Sequence, residues 1–153
     1  MPGRVHVAPA GPADDGVLAR LRRAWAAEAG GGVAADAGYE ERFRAWLGDE
    51  GRRRRFWLAR HDGRPVGMVN LLTVERMPMP GRPGGRWGHL GNLFVLPGHR
   101  RAGVATMLVD TVLAGAAAQG LERVVVHPNE ASLAFWRSTR FVTTTDLLVR
   151  EMV

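Results

Sequence analysis

The amino-acid sequence predicts a mixed α/β fold in which helices cover both faces of a central sheet. Three observations carry that prediction. Strand-like alternation and helix-like periodicity interleave in the order strand, two helices, three strands, helix, strand, helix, strand. The 153 residues suit one hydrophobic core and no linker divides them, so 1–153 reads as a single domain. The hydrophobic share of 46% and charged share of 24% are those of an ordinary globular chain, which excludes fibrous and largely disordered architectures.

The elements follow in order. Arg4–Ala8 alternates apolar and polar residues and forms a first strand. Asp14 or Asp15 caps a helix whose apolar face is Val17, Leu18, Leu21, Ala24 and Trp25. Consecutive glycines from Gly30 end it, and Gly30–Gly38 is a small-residue, exposed connection. A second helix sets Phe43, Trp46 and Leu47 on one face and stops near Gly48 or Gly51. Arg52–Arg55 is a solvated loop leading into Phe56–Arg60, and His61-Asp62-Gly63-Arg64-Pro65 turns that run back into Val66–Val74. Met77–Gly85, rich in proline and glycine, is a loop, either an ordinary connection or a lid over a binding site. Trp87–Leu96 is the next strand, and Val104, Leu108 and Val112 mark a helix. Leu121–Val126 reads as a buried strand, Glu130–Ser138 as a short helix and Phe141–Glu151 as a last strand.

Composition removes several function classes. With no cysteine there is no disulfide, thiolate metal site or cysteine nucleophile, and no metal is expected. No apolar run has the ~18 residues a membrane span needs, so the expectation is a cytoplasmic protein with no membrane partner. The net charge is +6, yet every one of the 21 basic residues is arginine, which points to coding bias rather than to nucleic acid. Tyr39 is the only phenol.

The chemistry concentrates in Leu93-Phe94-Val95-Leu96-Pro97-Gly98-His99-Arg100-Arg101-Ala102-Gly103-Val104-Ala105. A strand runs through a basic, glycine-containing turn directly into a helix. The first amides of a helix lack partners and sit at the positive end of its dipole. Wrapped around Arg100–Ala105, they make a cradle for a pyrophosphate; Gly103 permits close approach and Ala105 keeps the next turn thin. The plainer alternative is a tight turn with solvated arginines. The Lys-Ser/Thr ending of a P-loop is absent.

The spacing Val95-x-Pro97-x-x-Arg100-x-x-Gly103-x-Ala105 resembles the acyl-CoA-binding motif of the GNAT acetyltransferase superfamily. Asn129-x-x-Ser132-x-x-Phe135-Trp136-x-x-x-Arg140-Phe141 resembles a second motif of that family, at the expected distance. The resemblance implies a mostly antiparallel sheet that splays beside Leu121–Val126, with a β-bulge near Leu93–Val95. It implies acetyl-CoA as cosubstrate, paired along the backbone of Phe94 and Val95. The amides of Arg101, Ala102, Gly103, Val104, Ala105 and Thr106 would take the pyrophosphate, with Arg100 at the entrance and Asn129 near the pantetheine arm. The family's tyrosine, credited with protonating the leaving thiolate, falls at Trp136, whose indole only donates and does not titrate usefully. Ser132, His127 or water is left to substitute. Arg140 replaces a glycine, so the turn there is expected to differ.

The implied reaction is direct attack of a primary amine, from a small molecule or a protein, on the thioester in a ternary complex. Proton removal needs a base near neutrality or a carboxylate acting through water. The strand before the motif offers His89 as first candidate base and Asn92 as an orienting group. Glu75, Glu28, Glu40 and Glu41 are further options. Trp25, Trp46, Trp57 and Trp87 are either core and cleft wall or a cage for a cationic amine. Two other classes compete. One is a non-catalytic acyl-CoA-binding or sensing module; the other is an arginine-rich nucleic-acid binder using Arg20, Arg22, Arg23 and Arg52–Arg55, marked by steeply salt-dependent duplex binding. Superfamily members often dimerise, which leaves the oligomeric state open between monomer and homodimer.

Overall fold

The computed structural model describes residues 3–30 and 35–152; the part of the Gly30–Gly38 connection spanning 31–34 lies outside them. Five strands form one sheet in sequence order. They are β1 (Val5–Pro9), β2 (Arg54–His61), β3 (Arg64–Glu75), β4 (Arg86–Val95) and β5 (Val124–Val125). Every neighbouring pair is antiparallel except β4 with β5. The helices are α1 (Asp15–Glu28), α2 (Tyr39–Glu50), α3 (Val104–Ala118) and α4 (Leu133–Ser138). The β2–β3 connection is the two-residue turn read from sequence, with Asp62 at φ 48° and Gly63 at φ 80°. Two successive positive φ values match the twist of the flanking strands.

The helices cover both faces. Leu18, Leu21 and Phe43 from α1 and α2 pack on Phe56, Leu58, Met68 and Phe94. Val104, Leu108, Val109, Val112 and Ala116 of α3 cover Val66, Val69, Leu71, Leu90 and Val95 on the other face. Period-two alternation explains why one strand feeds both cores, since Met68 and Val69 point oppositely. Register then aligns residues across strands: Arg54, Leu72 and His89 form one row, and Phe56, Asn70 and Gly91 the next. His89, Asn70 and Arg54 therefore share the α1–α2 face.

Two expected strands change. The strand at Leu121–Val126 shortens to Val124–Val125, and its flanking amides bond individually, Glu122 N–H donating to Arg86 O at 2.9 Å. The last strand, Phe141–Glu151, does not form. Its middle folds into a local turn instead, where the Asp146 carboxylate accepts from Thr144 Oγ1 at 2.8 Å and from Arg123 Nη1 at 2.6 Å. Such short side-chain turns compete with ladder pairing.

Arg140 also departs from expectation, by preserving the turn rather than altering it. It adopts φ 69°, the left-handed conformation that glycine would supply. Arg140 N–H donates to Arg137 O at 3.0 Å and Phe141 N–H to Trp136 O at 3.1 Å, closing α4 with paired bonds. The Phe141 ring lies edge-on to Trp136 at 5.3 Å, which helps offset a left-handed cost of about 1–2 kcal/mol.

Candidate functional site: the β4–α3 turn and the cavity beside it

The turn after β4 runs through a single 3-10 turn, Pro97–His99, into α3. Arg101 at φ 59° and Gly103 at φ 79° bend the backbone, and α3 carries no side-chain cap. Among the described residues, the first α3 amide with a backbone acceptor is that of Met107, which bonds Gly103 O at 3.0 Å. The amides before it are left for a ligand. A Cβ built on Gly103 meets nothing within 4 Å, so the space above the turn is open. With Gly103 at the cap position, the missing side-chain cap costs only a few tenths of a kcal/mol. Burial of Val104, Leu108, Val109 and Val112 contributes about 1.5–3 kcal/mol each and outweighs it. Packing along α3 thus lets its N-terminus stay bare for an anion.

β4 forks from β5 immediately beside this turn. The parallel pairing covers only Gly88 with Val124 and His89 with Val125. Beyond His89, β4 has no strand neighbour on that side among the described residues, so the stretch through Phe94 and Val95 offers a backbone edge. The bulge lies at Asn92–Leu93, one step before its expected place: Met68 pairs with Phe94 and Asn70 with Gly91, so two β4 residues face Val69. Asn92 takes φ 54° there.

At the fork, His89 Nε2 and His127 Nδ1 share one hydrogen bond of 2.7 Å, with the rings nearly perpendicular. Burial, first, and then the nearby charges of His127 and Arg54 hold the His89 imidazole below its ordinary pKa. It is therefore neutral at pH 7 and able to accept a proton. His89 lies three residues before Asn92, roughly 10 Å along an extended strand.

A buried polar chain that sequence reasoning missed runs to the same bulge. Asn70 is fully buried. Its Nδ2 donates to Asn92 Oδ1 at 2.7 Å, and its Oδ1 accepts from Arg54 Nη1 at 2.8 Å. Arg54 Nε in turn donates to Glu50 Oε2 at 2.8 Å. Arg54 and Arg53 together hold the Glu50 carboxyl below its usual range. This chain fixes the Asn92 side chain. A polar Asn at the centre of an apolar strand run was the available signal.

Over Asn92 lies a cavity of about 210 Å³ lined by Arg22, Tyr39, Phe43, Trp46, Phe56, Met68 and Asn92. The larger cleft, about 780 Å³, is lined by Arg52–Arg55 and Gly11, shares Phe56 with the smaller one and reaches Gln119 at the C-terminal end of α3. It lies far from the α3 N-terminus and is open, so the smaller cavity is the better acceptor site.

The remaining candidates have other partners. Arg100 donates to both Glu28 oxygens at 2.7 Å and to Val95 O at 2.8 Å, tying α1 to the end of β4. That pair keeps the Glu28 carboxyl below its usual range. Glu40 accepts from Arg23 at 3.2 Å. Asn129 and Ser132 cap the turn before α4: Ser132 N–H donates to Asn129 Oδ1 at 2.8 Å, and Ser132 Oγ accepts from Asn129 N–H at 3.1 Å. Trp136 and Trp57 are buried in the α3-side core, whereas Trp46 stays half-exposed at the cavity. Glu75 pairs with Arg86 at the far end of β3, roughly 17 Å along the strand from Asn70, and the Met77–Gly85 loop follows it. Neither the loop nor Glu75 lines the cavity.

Residues 18–140 match the model of the acetyltransferase (GNAT) family. The chain belongs to that family. It is 37% identical over 103 residues to uncharacterized N-acetyltransferases of Mycobacterium tuberculosis and Mycobacterium bovis. The match covers 65% of this chain and 59% of those relatives, so the chain spans about three-fifths of their length. Human N-acetyltransferase 8 is 34% identical over 92 residues, 58% of this chain and 39% of the human protein. Among solved structures, a GCN5-related N-acetyltransferase from Ralstonia eutropha superposes with TM-score 0.75 at 25% identity, covering 97% of this chain and 99% of that one. A predicted acetyltransferase with acetyl-CoA from Clostridium acetobutylicum superposes with TM-score 0.77 at 15% identity, covering 97% and 96%. That likeness shows the fold. Among the described residues no helix is long and apolar enough to cross a membrane, and no cluster of potential metal ligands occurs.

Proposed function

We propose that this GNAT domain transfers an acetyl group from acetyl-CoA to a primary amine held in the cavity over Asn92. The observation that carries the reading is the bare N-terminus of α3 opening beside the β4–β5 fork. A pyrophosphate suits the free amides of Arg101–Thr106, and an extended amide-bearing arm suits the β4 edge at Phe94 and Val95. Acetyl-CoA supplies an activated acyl carbon and a fair thiolate leaving group. The acceptor nitrogen forms the new C–N bond as the C–S bond breaks; the acceptor's proton passes to water and the thiolate takes one back.

The chain's own residues prepare the amine. No carboxylate lines the cavity, whose aromatic walls desolvate an ammonium and favour the neutral amine. His89, neutral and outside the cavity lining, accepts the released proton through intervening water. Asn92, held by Asn70, orients the acceptor or that water. Trp136 is core, and the Ser132 hydroxyl is engaged in its cap, so the returning proton comes from solvent.

Calorimetric titration with acetyl-CoA, beside thiol release across an amine panel, tests the reading. Micromolar binding with turnover of one amine class supports it. Binding without turnover favours the sensing module, a reading that the buried Trp136 and the capped Ser132 also suit. Absence of binding overturns both.

A further inference from the structure

The cavity identifies its occupant more closely than the family does. Resting on the acetyltransfer reading above, we infer that the acceptor is a small amine carrying an apolar or aromatic group and an anionic group, with Arg22 binding the anion.

Four aromatic rings and Met68 line the cavity, and Arg22 is its only charged lining residue among the described residues. The other cations nearby are already committed. Arg23 is paired with Glu40, Arg54 with Glu50 and Asn70, and Arg100 with Glu28. Arg22 has no carboxylate partner among the described residues. Its guanidinium lies 4.7 Å from the centroid of Trp25, and that ring stacks on Phe94 at 5.7 Å. Stacking holds the planar fork in place while leaving its edge free for bidentate binding of a carboxylate or phosphate.

The same geometry argues against a polycationic acceptor and against the tryptophan cage that sequence suggested. The faces such a cage would offer already carry arginines. Arg54 lies 5.3 Å from the Trp46 centroid and Arg23 lies 5.1 Å from that of Tyr39. A cationic ligand would compete with them and meet the unneutralised Arg22. Size agrees: about 210 Å³ is below the 300–1,000 Å³ usual for drug-sized ligands. The cavity takes one compact side chain, with its amine directed at the Asn92 bulge.

Matched probes separate these features. L-phenylalanine has the ring, the amine and the carboxylate; L-phenylalaninamide replaces only the carboxylate, and more of its less basic amine is unprotonated at neutral pH. L-alanine removes the ring, and spermidine supplies a polycation. Thiol release is measured for each with wild type, Arg22→Gln and Arg22→Lys, while calorimetry follows acetyl-CoA binding. The expected result is a kcat/KM for L-phenylalanine at least about ten-fold above the other three, one good bidentate contact being of that order. Arg22→Gln then raises KM for L-phenylalanine alone, Arg22→Lys recovers part of the loss, and acetyl-CoA affinity is unchanged in both. Equal or better use of the amide or spermidine overturns the inference, as does a preference that survives in Arg22→Gln. So does failure of every probe while acetyl-CoA still binds, an outcome that leaves the choice between acetyltransfer and the sensing module to the wider amine panel. Loss of acetyl-CoA binding in wild type overturns that reading itself.

Discussion

The turn at Gly103 and the cavity over Asn92 both hang on β4, yet they are made differently. The turn draws its donors from the main chain of consecutive residues, and a bare helix end supplies them. The cavity draws seven side chains from α1, α2, β2, β3 and β4. A ligand held by backbone constrains only where the chain bends and which residues must stay small. That leaves a short local spacing. A pocket built from side chains constrains residues far apart in sequence and leaves none.

The sharpest way to break the first half is Gly103→Glu. Its φ of 79° disfavours any side chain, at about 1–2 kcal/mol, and its Cβ side opens on the anion cradle. A carboxylate there repels a pyrophosphate. Titration calorimetry is expected to show acetyl-CoA binding weakened at least about 100-fold, since each 1.4 kcal/mol is tenfold. The protein remains folded by circular dichroism, because the α3 packing residues are untouched. Binding within ten-fold of wild type would mean that the turn holds no phosphate.

This contrast also explains what was legible in the sequence. Val95, Pro97, Arg100, Gly103 and Ala105 announced the turn because helix start, dipole and chain bend are all local. The hairpin at Asp62-Gly63 and the stop at Gly30 were legible for the same reason. Asn70 was not, although it is the most buried polar residue of the site, because its partners are 16 and 22 positions away. Arg22 was indistinguishable from its neighbours until α1 was placed over Phe94. The last strand was misread because Thr144 and Asp146 form a turn that alternation alone does not reveal. Arg100 carried the motif correctly, but its engagement with Glu28 spans 72 positions.

The second half is broken from inside by Asn70→Ala. The substitution removes the bonds to Arg54 and Asn92 and leaves a buried guanidinium donor short of one acceptor. Urea denaturation is expected to report a loss of about 1.5–3 kcal/mol, the range for hydrogen bonds to a charged group. Acceptor KM rises as Asn92 loses its orientation, whereas acetyl-CoA affinity stays within a few-fold. The two substitutions thus separate the halves. Equal loss of both affinities in Asn70→Ala would show that one polar network serves the whole cleft.

The smallest expected effect lies where the halves meet, at the His89–His127 contact. Burial, His127 and Arg54 hold the His89 pKa below its ordinary 6.5. A depressed histidine binds fewer protons folded than unfolded, so it contributes stability above the unfolded pKa that is lost as pH falls toward and through the folded one. If His89 accepts the acceptor's proton, kcat/KM follows the same sign, flat at neutrality and falling only below about pH 6.5. His127→Ala removes one of the depressing charges but leaves burial and Arg54. The acid limb of the pH–rate profile should therefore move up modestly, by less than about one unit, while acetyl-CoA binding at pH 8 is unchanged. His89→Gln should abolish that limb and lower kcat by about ten-fold, short of the ~10²–10⁴-fold of a base in direct contact because water relays the proton. If His89→Gln leaves both the limb and kcat intact, the cavity walls alone generate the neutral amine. The acceptor half would then need no base beyond water.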